Sequence, residues 1–443
     1  MSTSAITNES ILEHIKSEEI EWIDCMFTDL LGTLRSITVP AQEFKNALKY
    51  GLSFDGSSIP GCTAINESDL LLWPDITTFV NTSHIFQNTA RIMCDMYRSS
   101  GTPYEADPRT ILKNVMEEAR SLGYEFLVGP EVEFFVLHPQ DNGILKPSDN
   151  KHYFQTEEYA ERDAQKKLII KALRDEGIGI EKLHHEVAPG QFEMSIHYAN
   201  ALDIADQLMI CKHHLKYLAH QFSWLVTFMP KPIADCNGSG MHIHFSLFDT
   251  KHQNNAFYNK ENSFLLSDTA FHFIAGVLHY APDLTALLNA SVNSYKRLVP
   301  GHEAPIYQCW AIKNRSAMIR IPQIDPDLTT AARAEIRSPD ALCNPYLAFA
   351  GLLKAGLEGI KQKFQLPLAT DVNLYHLKPD ELVKKGIQTL PTSLEESVHI
   401  FEKSDFIKTL LGSGTAHEYA KIKRTEIAGY KKAITPWEIE QYL

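Results

Sequence analysis

Hydrophobic and polar positions divide the chain into a strand-rich beginning and a longer, helix-rich remainder. From about Glu21 to Tyr97, short β-like runs such as EWIDCMFTDL and ARIMCDMY alternate with turn-rich segments such as FDGSSIPG, which predicts a small strand-rich domain. After a segment rich in Ser, Gly and Pro at residues 99–108, apolar residues recur at helical spacing until Gly123. We therefore predict one domain over residues 1–103 and a second over residues 104–443.

Helical periodicity continues through the second domain. Asp107 followed by Pro108 is typical of a helix N-terminus. Strand-like segments separate the helices, so the second domain is expected to be α+β. The further predicted helices cover residues 164–176, 204–228, 269–290, 345–364 and 394–411.

Charge and composition narrow the possible partners. The chain has 443 residues and a formal net charge of -13, which disfavours sequence-independent binding of nucleic acid phosphates or anionic lipid surfaces. The first residues show no basic segment followed by an apolar run, and no stretch of about eighteen apolar residues occurs. We expect a cytoplasmic protein that binds neither nucleic acid nor membrane. Seven singly scattered cysteines fit reduced thiols.

Acidic residues supply the first candidate chemistry. In VGPEVEFFVL, strand alternation places Glu131 and Glu133 on one face. Two carboxylates on one face repel, so the pair requires a metal ion or a shared proton unless the face is simply solvated. In HHEVAPGQFEMSI, Glu186 and Glu193 flank a Pro-Gly turn signal and converge if the chain doubles back there.

Histidines in two segments supply further candidates. In NGSGMHIHFSLF, His242, His244 and Ser246 share one strand face behind a glycine-containing loop. For His244, a hydrogen-bonded interior imidazole is favoured over a metal ligand. His184 and His185 are adjacent in sequence, and a structural role is favoured for them.

The segment RAEIR aligns Arg333, Glu335 and Arg337 on one strand face, as cation, anion and cation. This order suits a metal ion beside phosphate, whereas the alternative is surface ion pairing. The chain contains neither GxxxxGK[ST] nor GxGxxG, so a bound nucleotide would depend on carboxylates, metal ions and arginines. The arginines concentrated between residues 297 and 337 are Arg297, Arg315, Arg320, Arg333 and Arg337.

Taken together and in this order, several segments resemble the bacterial type I glutamine synthetases. The resemblance implies a β-grasp-like N-terminal domain and a larger catalytic domain with a curved antiparallel sheet and helices. It also implies a homo-dodecamer of two stacked hexameric rings, with active sites between neighbouring subunits. The segments are FDGSSIPG, GPEVEFF, HHEVAPGQFE, NGSGMHIHFSLF, NSYKRLVPGHEAP, NRSAMIRIP, RAEIRSPDALCNPYLA and TPWEIEQYL.

The reaction implied by this resemblance is the ATP-dependent ligation of ammonia to the γ-carboxylate of L-glutamate. It proceeds through γ-glutamyl phosphate and yields glutamine, ADP and phosphate. Two Mg²⁺ or Mn²⁺ ions per site are implied. One would be held by Glu133, Glu186 and Glu193, and the other by Glu131, His242 and Glu335.

The resemblance also implies roles for the residues that match the family's substrate positions. Asp55 would come from the adjacent subunit and deprotonate ammonium, Glu303 would act from a flap that covers the acyl phosphate, and Arg315 would steady the transferred phosphoryl group. The matched positions are Ser246, Arg320 and Arg333 for ATP, Asn237, Gly238, Arg297 and Arg337 for glutamate, and Tyr153 for ammonium.

Two alternatives stay open on the residues alone. A γ-glutamyl amine ligase would use the same acyl phosphate with a larger amine, although Asp55, Ser58 and Glu303 complete an ammonium site. An inactive structural or regulatory homologue would not need intact metal positions. Regulation is open too, since Ala64 replaces an arginine common in feedback-inhibited relatives and Tyr375 matches a position adenylylated in some others.

Overall fold

The computed structural model describes residues 6–63, 68–139, 145–299, 305–370 and 372–443, which form two β-sheets and a set of α-helices. The strands are β1 (Trp22–Thr28), β2 (Leu34–Pro40), β3 (Leu52–Asp55), β4 (Asp69–Pro74), β5 (Val80–Asn81), β6 (Thr89–Arg98), β7 (Tyr124–Pro139), β8 (Leu145–Pro147), β9 (Ile180–His185), β10 (Gln191–Ile196), β11 (Ala199–Asn200), β12 (Leu225–Thr227), β13 (Met241–Asp249), β14 (Asn254–Asn255), β15 (Trp310–Ile312), β16 (Ile319–Ile321) and β17 (Ala334–Ile336). The helices are α1 (Asn8–Ser17), α2 (Ala41–Tyr50), α3 (Pro108–Ser121), α4 (Ala160–Asp175), α5 (Ala201–His220), α6 (Asp268–His279), α7 (Ala281–Leu288), α8 (Ser294–Arg297), α9 (Pro345–Gln362), α10 (Pro379–Lys384), α11 (Leu394–Lys403), α12 (Asp405–Leu411), α13 (Ser413–Lys432) and α14 (Pro436–Tyr442).

The first sheet has the strand order β2-β1-β6-β4-β3, with β5 paired to β6. Strands β1 and β6 run parallel, and the other pairs are antiparallel. Buried residues such as Ile23, Phe44 and Ile92 form a separate hydrophobic core between this sheet and helices α1 and α2. The strand-rich start predicted from the alternating pattern is therefore confirmed.

The second sheet has the order β15-β16-β17-β13-β7-β10-β9 and is antiparallel except between β15 and β16. Strand β7 alternates strictly: Phe126, Val128 and Val132 belong to the main hydrophobic core, whereas Glu131 and Glu133 point to the other face. One face of the sheet is thus covered by helices, and the other carries the acidic residues of β7 together with the buried Phe135 and Leu137. The predicted α+β class is confirmed.

Helix α3 begins after Asp107, whose side chain accepts a hydrogen bond from Arg109 N at 3.2 Å, as the N-cap pattern predicts.

Three other predicted helices differ from the structure in where they end or in being continuous. The helix predicted over 204–228 instead ends at His220, because Ser223 adopts a left-handed backbone with φ 58° and β12 follows. The helices predicted over 269–290 and 394–411 are each divided in two, and Ser404 caps the second half of the latter.

A buried ionic network joins the two sheets. The Arg109 guanidinium donates to Asp206 on α5 at 2.9 and 3.0 Å, to Asp95 on β6 at 2.6 Å and to Asp75 after β4 at 2.9 Å. Tyr346 on α9 donates to Asp206 at 2.6 Å. A buried charge without its partners is strongly destabilising, so this network fixes the position of the first sheet relative to the second.

Helices α6 and α9 approach closely because two glycines face each other where they pack. A Cβ atom on Gly276 would overlap the carbonyl oxygen of Ala355, and one on Gly359 would overlap that of His272. Neither obstacle is a flexible side-chain end, so the backbone itself would have to shift.

We expect Gly359→Ala to lower the free energy of unfolding by about 1–3 kcal/mol, since it overpacks a closed contact. Gly429→Ala is the matched control, because Gly429 lies on α13 with no atom within 4 Å of an added Cβ. That change should be neutral or stabilise by up to about 1 kcal/mol through helix propensity. Urea unfolding of both variants measures the difference, and equal midpoints would contradict the packing argument.

Candidate active site

Strand pairing gathers acidic residues on the open face of the second sheet. Glu131 and Glu133 project from β7, and Glu193 of β10 lies directly opposite Glu133. On the other side of β7, His242 of β13 lies opposite Glu131. Glu335 comes from β17, the next strand beyond β13. Residues far apart in sequence thus meet because opposite positions on adjacent strands share a face.

His242 is the hub of this cluster. Its Nδ1 lies 3.7 Å from Glu131 Oε2 and 3.8 Å from Glu335 Oε1, and its Nε2 lies 3.7 Å from Glu133 Oε1. Nδ1 is buried and has no hydrogen-bond partner among the described residues. Donor atoms of Glu131, His242 and Glu335 all lie within 4.8 Å of one another. An unpartnered imidazole nitrogen facing two carboxylates fits a bound cation.

A second donor group adjoins the first. The β9–β10 turn brings Glu186 and Glu193 together, as the Pro-Gly signal predicts, and donor atoms of both lie within 4.8 Å of each other and of His184. Glu193 also belongs to a group with Glu133 and His242. The predicted set of Glu133, Glu186 and Glu193 is therefore connected through Glu193. Carboxylate oxygens with one imidazole suit Mg²⁺ or Mn²⁺.

The crowding of carboxylates perturbs their protonation. Burial and the nearby charges of Glu131, Glu133 and Glu186 raise the pKa of Glu193 well above its usual range. Burial also opposes ionisation of Glu131, but the nearby imidazoles of His242 and His244 outweigh it and lower the pKa of Glu131. A proton on Glu193 relieves the repulsion when no cation is present, and a divalent cation would relieve it more completely.

Glu335 holds two arginines at the cluster. It is fully buried, and its carboxylate accepts from Arg320 Nη1 at 2.6 Å and from Arg337 Nη1 at 2.5 Å. Burial opposes its ionisation, but the charges of Arg337, His244, His242 and Arg320 together lower the pKa of Glu335 to about 2. Arg320 lies on β16 between the buried Ile319 and Ile321, so strand alternation points it to the opposite face.

A wide cleft of about 1050 Å³ opens on one side of the cluster. It is lined by Glu131, His244, Ser246 and Arg333 among others. Arg333 Nε donates to His244 Nδ1 at 3.2 Å, so the other ring nitrogen carries the proton and faces Glu131 Oε1 at 3.5 Å. His244 is thus a hydrogen-bonded link between an arginine and the cluster, in agreement with the interpretation favoured from sequence.

A narrow cleft of about 290 Å³ opens on the opposite side of the cluster. Arg297 is buried there, and its guanidinium donates to the backbone oxygens of Arg337, Ser338 and Pro339 at 2.8 to 3.2 Å. Gly238 is required, because a Cβ atom would overlap the carbonyl oxygen of Pro230 and crowd Arg297. The residues that line this cleft are Glu133, Glu186, Gln191, Asn237, Gly238, His242, Arg297 and Arg337.

Tyr153 lies beside the second donor group. Its ring packs on Phe154 and meets His184 edge-on at 5.8 Å between centroids. Burial and the proximity of Glu186 raise the pKa of Tyr153, while a hydrogen bond with Arg315 acts in the opposite direction. The structure therefore brings both Tyr153 and the exposed Arg315 to the edge of the cluster.

Asp55 is the predicted site residue that stands apart. It ends β3 at the edge of the first sheet, is exposed, and accepts from Ser57 N at 2.9 Å and from the hydroxyls of Ser57 and Ser58 at 2.6 and 3.0 Å. Those hydrogen bonds, chiefly from Ser57, lower the pKa of Asp55. Within the described part of the chain it lines neither cleft. Glu303 and Ala64 lie outside the described residues.

Sequence reasoning missed two residues of the cluster. His184, interpreted as structural, has Nε2 at 3.5 Å from Glu193 Oε1 and 4.0 Å from Glu186 Oε1. Gln191 donates to Glu133 Oε2 and to the carbonyl oxygen of Gly238. In HHEVAPGQFE, His184 is two residues from Glu186, and Gln191 is two residues from Glu193. A strand period of two therefore predicts that each lies on the same face as its carboxylate.

Comparisons with known proteins agree with this geometry. Residues 19–99 match the family model of the glutamine synthetase β-grasp domain, and residues 105–442 match that of the glutamine synthetase catalytic domain. The chain belongs to the glutamine synthetase family. The resemblance inferred from the motifs is therefore confirmed, as is the prediction of an ATP-dependent glutamate–ammonia ligase. Members of this family use ATP and a divalent metal.

Relatives cover the whole chain. Glutamine synthetase of Methanosarcina mazei is 40% identical over 441 residues, covering 99% of this chain and 98% of the relative, and that of Staphylococcus aureus is 40% identical over 452 residues, covering 100% and 99%. The cryo-electron microscopy structure of Plasmodium falciparum glutamine synthetase has a TM-score of 0.88 at 30% identity, covering 100% of both chains. A complex of GmaS with ADP has a TM-score of 0.88 at 31% identity, covering 97% of this chain and 98% of that chain.

No helix in the described ranges is long and apolar enough to cross a membrane.

The turn that carries Glu186 is held by one carboxylate. Asp149 Oδ1 accepts from His185 Nε2 at 2.9 Å, from Gly190 N at 2.9 Å and from Lys151 N at 3.1 Å. His185 in turn contacts the carbonyl oxygen of Glu186 through Nδ1 at 2.7 Å. Asp149 thus orders both ends of the turn between Glu186 and Glu193.

We expect Asp149→Ala to weaken Mn²⁺ binding about tenfold, since groups that orient metal ligands have effects of that size. Asp175→Ala is the control, because Asp175 is an exposed carboxylate on α4 that pairs with Lys171. Its Mn²⁺ affinity should equal that of the unchanged protein. Titration of the free Mn²⁺ signal by electron paramagnetic resonance gives the affinities, and an unaltered affinity for Asp149→Ala would refute the role of this carboxylate.

Proposed function

We propose that the chain makes glutamine in two steps at the acidic cluster. In the first, the glutamate side-chain carboxylate attacks the γ-phosphorus of ATP, ADP leaves, and γ-glutamyl phosphate forms. In the second, ammonia attacks the acyl carbon, and phosphate leaves as the amide bond forms. The transferred phosphoryl group is released as inorganic phosphate, so the ammonium-dependent part of phosphate release reports the complete reaction.

The observation that carries this proposal is the position of the cluster between two clefts. Glu131 lines the wide cleft, whereas Glu133 and His242 line the narrow one. A nucleotide on one side and glutamate on the other would both reach the same donor groups. Phosphoryl transfer needs both reactants at one site together with neutralisation of the phosphate charge.

We assign two divalent cations to the donor groups, one to Glu133, Glu186 and Glu193 and one to Glu131, His242 and Glu335. When bound, they would neutralise charge on the phosphate and on the attacking carboxylate. Mg²⁺ and Mn²⁺ both suit the oxygen-rich donor set.

The wide cleft is the proposed nucleotide site. Ser246 and Arg333 line it, and Arg320 approaches through Glu335. The similar GmaS structure is a complex with ADP, which supports a nucleotide in this family's fold. Arg315, exposed at the edge of the cluster beside Tyr153, is assigned to steady the transferred phosphoryl group.

The narrow cleft is the proposed glutamate site. Arg297 and Arg337 bring two positive charges to this cleft, as binding of a dicarboxylate requires, and Asn237 and Gly238 also line it. Because Arg297 is fixed by three backbone oxygens, its charge is oriented before the substrate arrives.

The ammonium step requires a neighbouring subunit. We assign Asp55 as the base of a neighbouring chain's site, because it is exposed on the outer edge of the first sheet. The hydrogen bonds that lower its pKa keep it ionised, so it would bind the ammonium cation before a proton is transferred. We assign Tyr153 to the ammonium site and Glu303 to a flap that excludes water from the acyl phosphate. A homo-dodecamer of two hexameric rings in the cytoplasm, with domains of residues 1–103 and 104–443, completes the proposal.

Phosphate release tests the amine specificity. With ATP, glutamate and Mg²⁺, we expect release to depend strongly on ammonium and only weakly on putrescine or ethanolamine. Asp55→Ala should lose most of the ammonium-dependent release and keep its affinity for ADP. A preference for a larger amine would establish the γ-glutamyl amine ligase instead, and absence of turnover would establish the inactive homologue.

Subunit mixing tests the shared site. Asp55→Ala and Glu131→Gln should each be nearly inactive, because one lacks the proposed base and the other a proposed metal ligand. Subunits dissociated and reassembled together should regain about a quarter of full activity, since one in four neighbouring pairs combines both intact residues. Reassembly of each variant alone is the control. Failure of the mixture to exceed that control would show that Asp55 does not act across the interface.

A further inference from the structure

A lysine to which the proposed mechanism gives no role reaches the wide cleft. Lys182 on β9 lies opposite Ser195 of β10, and Ser195 lies opposite Glu131 of β7. Residues opposite one another on adjacent strands share a face, so these three form a row across the sheet. Lys182 extends over the small Ser195, and its Nζ lies 3.3 Å from Glu131 Oε1.

The lysine is free to change partners. Its side chain is 50% exposed, compared with 20% for that of Glu131, so its ammonium group lies at the rim of the cleft. It lines the wide cleft, as Ser246 and Arg333 do. A lysine side chain is a flexible stem carrying a compact charge, and it can reorient without moving the backbone.

Other cations at this site are fixed by different contacts. Arg333 donates to His244 and to the carbonyl oxygen of Ala331, and Arg320 donates to Glu335. Lys182 instead pairs with Glu131, which is one member of the donor group formed with His242 and Glu335. A divalent cation in that group would neutralise the carboxylate and repel the ammonium group.

We infer that Lys182 is a further nucleotide-binding residue that pairs with Glu131 in the metal-free protein and with a phosphate oxygen once a divalent cation is bound. The inference rests on the proposed function, because it needs both a cation and a nucleotide at the wide cleft. Lys182 then has two effects of opposite sign: it competes with the cation before the nucleotide binds, and it strengthens nucleotide binding afterwards.

Two variants separate charge from shape. Lys182→Met removes the charge and keeps an unbranched side chain, and Lys182→Arg keeps the charge. The matched control is Lys421→Met, since Lys421 is 64% exposed on α13 and pairs with Glu418 at 3.0 Å. Each assembled protein is titrated with Mn²⁺ alone, and then with ADP at saturating Mn²⁺ and two salt concentrations.

We expect Lys182→Met to bind Mn²⁺ about two- to fivefold more tightly, the size of one exposed ion pair, and to bind ADP about tenfold more weakly. Its ADP affinity should also depend less on salt, because one ionic contact to phosphate is missing. Lys182→Arg should keep an ADP affinity within about threefold of the unchanged protein. Lys421→Met should match the unchanged protein in both titrations.

An ADP affinity of Lys182→Met equal to that of the Lys421→Met control would overturn the inference, whatever happens to Mn²⁺ binding. Weaker rather than tighter Mn²⁺ binding by Lys182→Met would overturn the competition with the cation. Failure of the proposed function gives a different result, since the unchanged protein itself would then bind neither Mn²⁺ at the cluster nor ADP in its presence.

Discussion

Strand pairing in the second sheet holds carboxylates together that would repel one another in a free chain. Glu131, Glu133 and Glu193 lie on two adjacent strands, and Glu335 is buried two strands further along. The helix-covered face of the sheet provides the packing that keeps these strands in register. Stability of the core therefore maintains a concentration of negative charge that is compensated by protons, basic side chains or metal ions.

The arginines and the two clefts follow from that constraint. Arg320 and Arg337 neutralise Glu335 from either side, and the remaining carboxylates surround His242. The cluster borders both clefts, and this is the arrangement on which the proposed two-substrate reaction depends. The first sheet serves a different purpose: the Arg109 network fixes its position, and Asp55 is exposed at its edge.

Much of this arrangement can be predicted from the sequence because it is local or periodic. The period of two placed Glu131 and Glu133 on one face, and the Pro-Gly signal predicted the turn that joins Glu186 to Glu193. Helix ends were predicted less well, since the left-handed backbone at Ser223 has no strong signature and Ser404 interrupts an otherwise continuous apolar pattern. The adjacency of His184 to His185 favours a structural role for His184, whereas its spacing of two residues from Glu186 indicates a place in the cluster.

The sequence by itself determined the fold class, the family and the chemical types of residue at the site, because these depend on periodicity and on motifs in order. Only the tertiary structure decided which of those residues meet. Strand register couples residues far apart in the chain. It places His242 opposite Glu131, lets two arginines share Glu335, and brings Lys182 over Ser195 to Glu131. No local pattern encodes such distances, since they arise when separately predicted strands pair.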